Sequence, residues 1–224
     1  MNKTEIRSRF KDAPWFPEEE INTLIGGAGG IGSWLTFLLA RAGFSPVVYD
    51  FDIIEQHNLG GQLFGKKHIG LDKVEALKNI VLEYSDSYIT IFNEPFTLES
   101  MGHEYMFAAF DNMKARKEMF EVWWRDNSEN PNAILIDGRL LMEQMQIFCV
   151  TPTNAREYFD EHLFDDSEVE EENCTMKQTS HSATMIASLM VGFFTNHMTN
   201  IKVGSVVRQV PFYHEYFIPI NLTS

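Results

Sequence analysis

The chain has 224 residues, a formal charge of −14 and 44% hydrophobic residues. That length holds one large domain with a real core, and the composition is that of an ordinary globular protein. The acidic balance and the lack of a basic patch argue against nucleic acid as the main partner, and two cysteines, Cys149 and Cys174, are too few for a disulfide framework or a four-cysteine zinc site.

In chain order, MNKTEIRSRF has charges with no apolar run behind them, so no secretory leader is expected. Residues 1–20, with a PWFP break, read as an arm. NTLIGG reads as a buried strand, GIGSWLTFLLARAG as a helix stopped by Gly43, and SPVVYD as a second strand. Residues 51–70 read as a loop. LDKVEALKNIVLEY is a helix by the spacing of Val74, Leu77, Ile80 and Val81. YITIFN and YMFAAF read as strands. DNMKARKEMFEVWWRD follows as a helix with Met113, Phe120, Trp123 and Trp124 on one face. AILID and MQIFCV are further strands, which places Cys149 in the core. Residues 160–172 carry eight acidic side chains and read as a solvated loop. A helix is expected over roughly 182–197, then edge strands or a hairpin in GSVVRQVPFYHEYFIPI. ATMIASLMVGFF is too short and too rich in Ser and Thr to span a bilayer, so a cytoplasmic protein without a membrane partner is expected. Alternating strands and helices predict an α/β fold: a doubly wound, mostly parallel Rossmann-like sheet with helices on both faces and a C-terminal antiparallel extension. The expected layout is the arm, a nucleotide-binding core over 21–155, and an acidic crossover loop, helix and strands of the same domain over 156–224.

GAGGIG carries the chemistry. Gly27, Gly29 and Gly32 fit G-x-G-x-x-G between a strand and a helix: the first for a tight turn, the second for approach of backbone to phosphate, the third for close helix–strand packing. The helix N-terminus supplies N–H groups and a favourable dipole. Asp50 ends the next strand, where a ribose-binding acid belongs. So far the pattern suits a dinucleotide oxidoreductase as well as an ATP site.

The run GAGGIGSWLTFLLARAGFSPVVYDFDIIEQHNLGGQLF, with Lys73 opening a helix and Asp111–Asn112 after a later strand, resembles the ThiF/MoeB/HesA adenylyltransferases, relatives of ubiquitin-activating enzymes. The resemblance covers roughly residues 20–150. It implies that the protein binds ATP and Mg²⁺ and adenylates the C-terminal carboxylate of a small protein or peptide, of ubiquitin-like or sulfur-carrier type. It carries over Gly27, Gly29, Gly30 and Gly32, Asp50 on the ribose, Asp52, Asn58 and Gln62 as nucleotide-binding residues, Lys73 against phosphate charge, and Asp111 on Mg²⁺. Residue by residue, plainer readings stand beside these: Asp111 as a helix cap, Lys73 as a solvated lysine, Asp52 and Asn58 as turn residues. The family's NLxRQ arginine is Gly61 here. Either Lys66 or Lys67 reaches in, or Arg139 supplies the charge, or adenylation is weak or lost.

The resemblance further implies a homodimer in which Arg7 or Arg9 on the arm acts as an arginine finger in the other subunit. Cys174, beyond the acidic stretch, matches a crossover cysteine that takes the acyl group as a thioester or joins sulfur transfer, with Lys177 and His181 near it in sequence. No C-x-x-C pair exists, so no zinc is expected. The alternatives are a nucleotide-binding scaffold subunit without activity and an NAD- or FAD-dependent oxidoreductase.

Overall fold

The computed structural model describes residues 7–141, 144–164 and 179–217. Seven strands form one sheet: β1 (Asn22–Gly26), β2 (Ser45–Tyr49), β3 (Thr90–Phe92), β4 (Tyr105–Ala108), β5 (Ile134–Leu141), β6 (Gln144–Val150) and β7 (Tyr213–Phe217), in the order β3-β2-β1-β4-β5-β6-β7. The first five in that order run parallel. β6 and β7 add on antiparallel. The helices are α1 (Gly30–Ala42), α2 (Lys73–Ser85), α3 (Met113–Asn127), α4 (Ala155–His162) and α5 (Ser180–Val203).

Alternation along each strand sorts side chains onto two faces. Ile25, Val48, Phe107, Ile136 and Ile147 pack against α1, α2 and α5, while Leu24, Val47, Met106, Leu135 and Phe148 pack against α3 and α4. Burial on both sides explains the near-continuous apolar runs of β1, β2 and β4. β1 is central, with Leu24 paired to Val47 on one side and to Met106 on the other. The order steps from β1 outward in both directions, so the crevice between the ends of β1 and β4 is a topological switch point, where open α/β sheets bind ligands.

Gly43 ends α1 in the left-handed region, φ 111°, as a C-terminal glycine should. Three sequence expectations change. α4 occupies Ala155–His162 and runs into the stretch read as an acidic loop; residues 165–172 lie outside the described residues. Among the described residues the tail makes one edge strand, β7, paired antiparallel to β6. Trp124 leaves the α3 stripe: Met113, Phe120 and Trp123 are buried, whereas Trp124 is 40% exposed. Cys149 is buried in the core, and burial pushes its thiol pKa up. Among the described residues no helix is long and apolar enough to cross a membrane.

Candidate nucleotide site

A cavity of about 720 Å³ opens at the switch point. It is lined by the β1–α1 turn, the loop after β2, the β4–α3 junction and the β5–β6 end of the sheet. The turn is built as the sequence requires. A Cβ on Gly32 would lie 1.8 Å from the Gly27 carbonyl oxygen, so glycine there permits the close approach of helix and strand. Gly27 has φ +93°, and a Cβ on it would press on the Ala109 carbonyl at 2.8 Å. A Cβ on Gly29 would meet nothing within 4 Å: this glycine leaves open space at the cavity wall. Gly29 is also the N-cap of α1, with no side chain capping the first turn. Uncapped N–H groups and the positive end of a 13-residue helix make an anion site.

Asp50 is the anchor of the turn. Its Oδ2 accepts from the Ala28 N–H at 2.7 Å and its Oδ1 from the Asp52 N–H at 2.9 Å. Burial raises its pKa, opposed by the charge of Lys73 and by these two N–H groups. Lys73 is no solvated lysine. Its side chain is 8% exposed, with Nζ 2.6 Å from Asp52 Oδ2 and 4.0 Å from Asp50 Oδ1. The Lys73 N–H donates to the Asp52 carbonyl at 2.9 Å, so the loop and the start of α2 are tied at backbone and side chain alike. Asn58 Oδ1 accepts from the Glu55 N–H at 2.8 Å within a short 3₁₀ turn, and Asn58 also lines the cavity. Gln62 lines it too, and its buried Oε1 has no hydrogen-bond partner. An orphan buried acceptor costs about 1–3 kcal/mol, so a ligand donor there is favoured.

The cap of α3 is Asn112, not Asp111: Asn112 Oδ1 accepts from the Ala115 N–H at 2.9 Å. The Asp111 carboxylate is exposed on the cavity wall and accepts from the Asn112 amide at 3.1 Å. Behind it lies a residue the sequence reading missed. Arg116 is 6% exposed and donates to the Asp137 carboxylate and the Phe110 carbonyl, and to the Gly138 carbonyl at 3.2 Å. It joins the segment carrying Asp111 to β5. The signal was present in the sequence: Arg116 sits three residues after Met113 and four before Phe120, on the apolar stripe.

Of the replacements considered for the arginine at Gly61, Arg139 lines the cavity. Lys66 and Lys67 do not line it; Lys67 stands 3.8 Å from Glu83. Gly61 itself is buried and its carbonyl accepts from the Trp34 indole N–H at 3.1 Å. On the arm, Arg7 is a correction to the finger reading. It is 7% exposed and donates to the Ala40 carbonyl at 2.9 Å and to Ser87 Oγ at 2.6 Å, both in its own chain. Arg9 is exposed. Cys174 and Lys177 lie outside the described residues; His181 is exposed at the start of α5 and bonds to Thr179 Oγ1.

The sequence pattern of the ThiF family matches residues 19–217, so the chain belongs to the ThiF family. A SUMO-activating enzyme subunit 2 of Dictyostelium discoideum is 34% identical over 105 residues, 43% of this chain and 16% of that protein, so the chain spans about a sixth of that relative. Among solved structures, the E. coli tRNA N6-threonylcarbamoyladenosine dehydratase TcdA aligns over 90% of this chain and 95% of its own, at 15% identity and TM-score 0.65. E. coli MccB, solved with ATP, aligns over 87% and 58%, at 16% identity and TM-score 0.61.

The residues present fit a nucleotide with a divalent cation. The open space at Gly29, the uncapped helix start and the orphan Gln62 acceptor suit phosphates and hydrogen-bond donors, and the Asp111 oxygens suit a hard cation.

Proposed function

We propose that the protein adenylates a carboxylate at the C-terminus of a small protein or peptide, using ATP and Mg²⁺. The observation that carries this is one cavity wall bearing three things together: the open Gly29 turn at the head of α1, the cluster of shielded Asp50 and Lys73 with exposed Asp52, and the Asp111 carboxylate. In this reading the N–H groups of the turn hold phosphate, Asp50 fixes the turn and faces the ribose, and Lys73 offsets negative charge. Asp111 would hold the cation, which would supply neutralisation of phosphate charge; the substrate carboxylate displaces pyrophosphate from the α-phosphorus. The protein's work is to position groups and stabilise charge; no covalent step on a side chain in the described residues is needed. Support comes from the family, from the SUMO-activating relative, and from a structural neighbour solved with ATP. The homodimer belongs to the same proposal, with Arg9 as the arm residue available to a partner subunit.

The test is ATP–pyrophosphate exchange with peptides bearing a free or an amidated C-terminus, beside titrations with ATP and NADH. Exchange that needs Mg²⁺ and a free carboxylate is the expected result. Tight NADH binding without ATP binding would replace this reading with an oxidoreductase, and ATP binding without exchange for any carboxylate would leave a scaffold subunit.

A further inference from the structure

The cavity continues beyond what a nucleotide on the glycine turn explains. Its far wall is the end of β5 and the start of β6, with Arg139, Gln144 and Gln146, together with Phe164. β5 is two strands from β1, with β4 between them. At the usual strand spacing that is roughly 9–10 Å across the sheet. Arg139 is the cation of this wall. Its side chain is 14% exposed, with Nε 2.7 Å from Asp137 Oδ2 and a terminal nitrogen donating to the His162 carbonyl at 2.9 Å. The guanidinium lies 4.6 Å from the centroid of the Phe148 ring and 5.9 Å from that of Phe164.

Asp137 is fully buried and shared. It accepts from Arg116, from Arg139 and from the Tyr158 hydroxyl at 2.9 Å. One carboxylate divided among three donors neutralises Arg139 only in part, and the guanidinium's other partner is an uncharged carbonyl. Aromatic walls and low exposure keep that residual charge from being screened by water. The fork is gripped on several sides, so little rotamer freedom remains to be lost when an anion arrives. A fixed, part-neutralised guanidinium at a cleft wall is a receptor for a planar pair of oxygens.

We propose that Arg139 binds the carboxylate that is to be activated, and that Asp137 and Tyr158 are the positioning residues that aim it. This rests on the adenylation reading. A phosphate oxygen would satisfy the same fork; the carboxylate is favoured because Arg139 stands two strands from the turn that takes the phosphates. It gives the distal half of the cavity a function: a subsite for the acyl end of the substrate.

The test follows the Arg139 Nε–H resonance by NMR in the intact chain, assigned by its disappearance in Arg139→Lys. The probes are diglycine, diglycinamide and AMP. A saturable shift with diglycine and none with diglycinamide is the expected result. A shift with AMP alone would assign the cation to phosphate and overturn the carboxylate subsite; no shift with any probe would make Arg139 a structural strut. Tyr158→Phe, which keeps every charge, should weaken diglycine binding about threefold or more at unchanged AMP affinity, as loss of one positioning hydrogen bond would. Wild-type diglycine affinity in that variant, or the same loss for both ligands, would overturn the positioning role. Failure of the wild type to bind ATP would sink adenylation separately, without touching the diglycine result.

Discussion

Gly29 and Gly32 belong to one turn, yet a methyl group would do different things at each. At Gly32 it would strike a backbone carbonyl at 1.8 Å. Gly32→Ala should therefore lose about 3 kcal/mol or more of stability, read by denaturant unfolding, because neither helix nor strand can yield cheaply. At Gly29 it would meet open space. Gly29→Ala should melt like the wild type but bind ATP about tenfold more weakly by calorimetry, about 1.4 kcal/mol. Wild-type ATP affinity in that variant would remove phosphate from the turn. The glycine spacing was legible because these constraints are steric and local. The state of Lys73 was not: its burial follows from the loop at Asp52 folding over the start of α2, a contact 21 residues apart in sequence.

At the scale of elements, α3 and α5 each carry a buried group that periodicity alone misreads. The apolar stripe of α3 announced a helix but gave Arg116 no partner, because Asp137 comes 21 residues later on another strand. Arg116→Ala removes one of three donors from a fully buried carboxylate, leaving Arg139 and Tyr158 on it, and a loss of about 1–3 kcal/mol is expected from urea denaturation. α4 was hidden for a related reason. Its buried positions are Ala155 and Tyr158 alone, too few to show a period just ahead of an acidic stretch. On α5, His197 is buried with Nε2 2.7 Å from the Asn132 carbonyl, and burial lowers its pKa. Its folded value lies below the unfolded one, so the unfolded chain binds more protons below about pH 6.5. Stability should fall as pH drops through that value toward the lowered one. His197→Gln should flatten part of that slope in melts between pH 7 and 5; His103 and His68, shifted the same way, keep the rest.

For the whole molecule, the parallel sheet and its two covered faces were legible because buried strands read as apolar runs between helices. The reversal at β6 and the lone edge strand β7 were less so, since pairing partners are not encoded in periodicity; β7, mostly exposed, shows no run. The arm shows the same limit. Residues 1–20 read as an arm offering Arg7 to another subunit, yet Arg7 is buried against α1 and the loop after α2 of its own chain. Arg7→Met should lower the melting temperature by several degrees, about 1–3 kcal/mol for two lost hydrogen bonds, with ATP affinity unchanged. A parallel loss of nucleotide binding would tie the arm to the site.

The two bonds of Arg7 span 33 and 80 residues. During synthesis this guanidinium lacks its second acceptor until Ser87 has left the ribosome, well after Ala40 has done so. Completing the docking of the arm therefore closes a long loop and needs the chain out to Ser87. A nascent chain halted before that serine should leave the arm open to proteases, and one halted well past it should not.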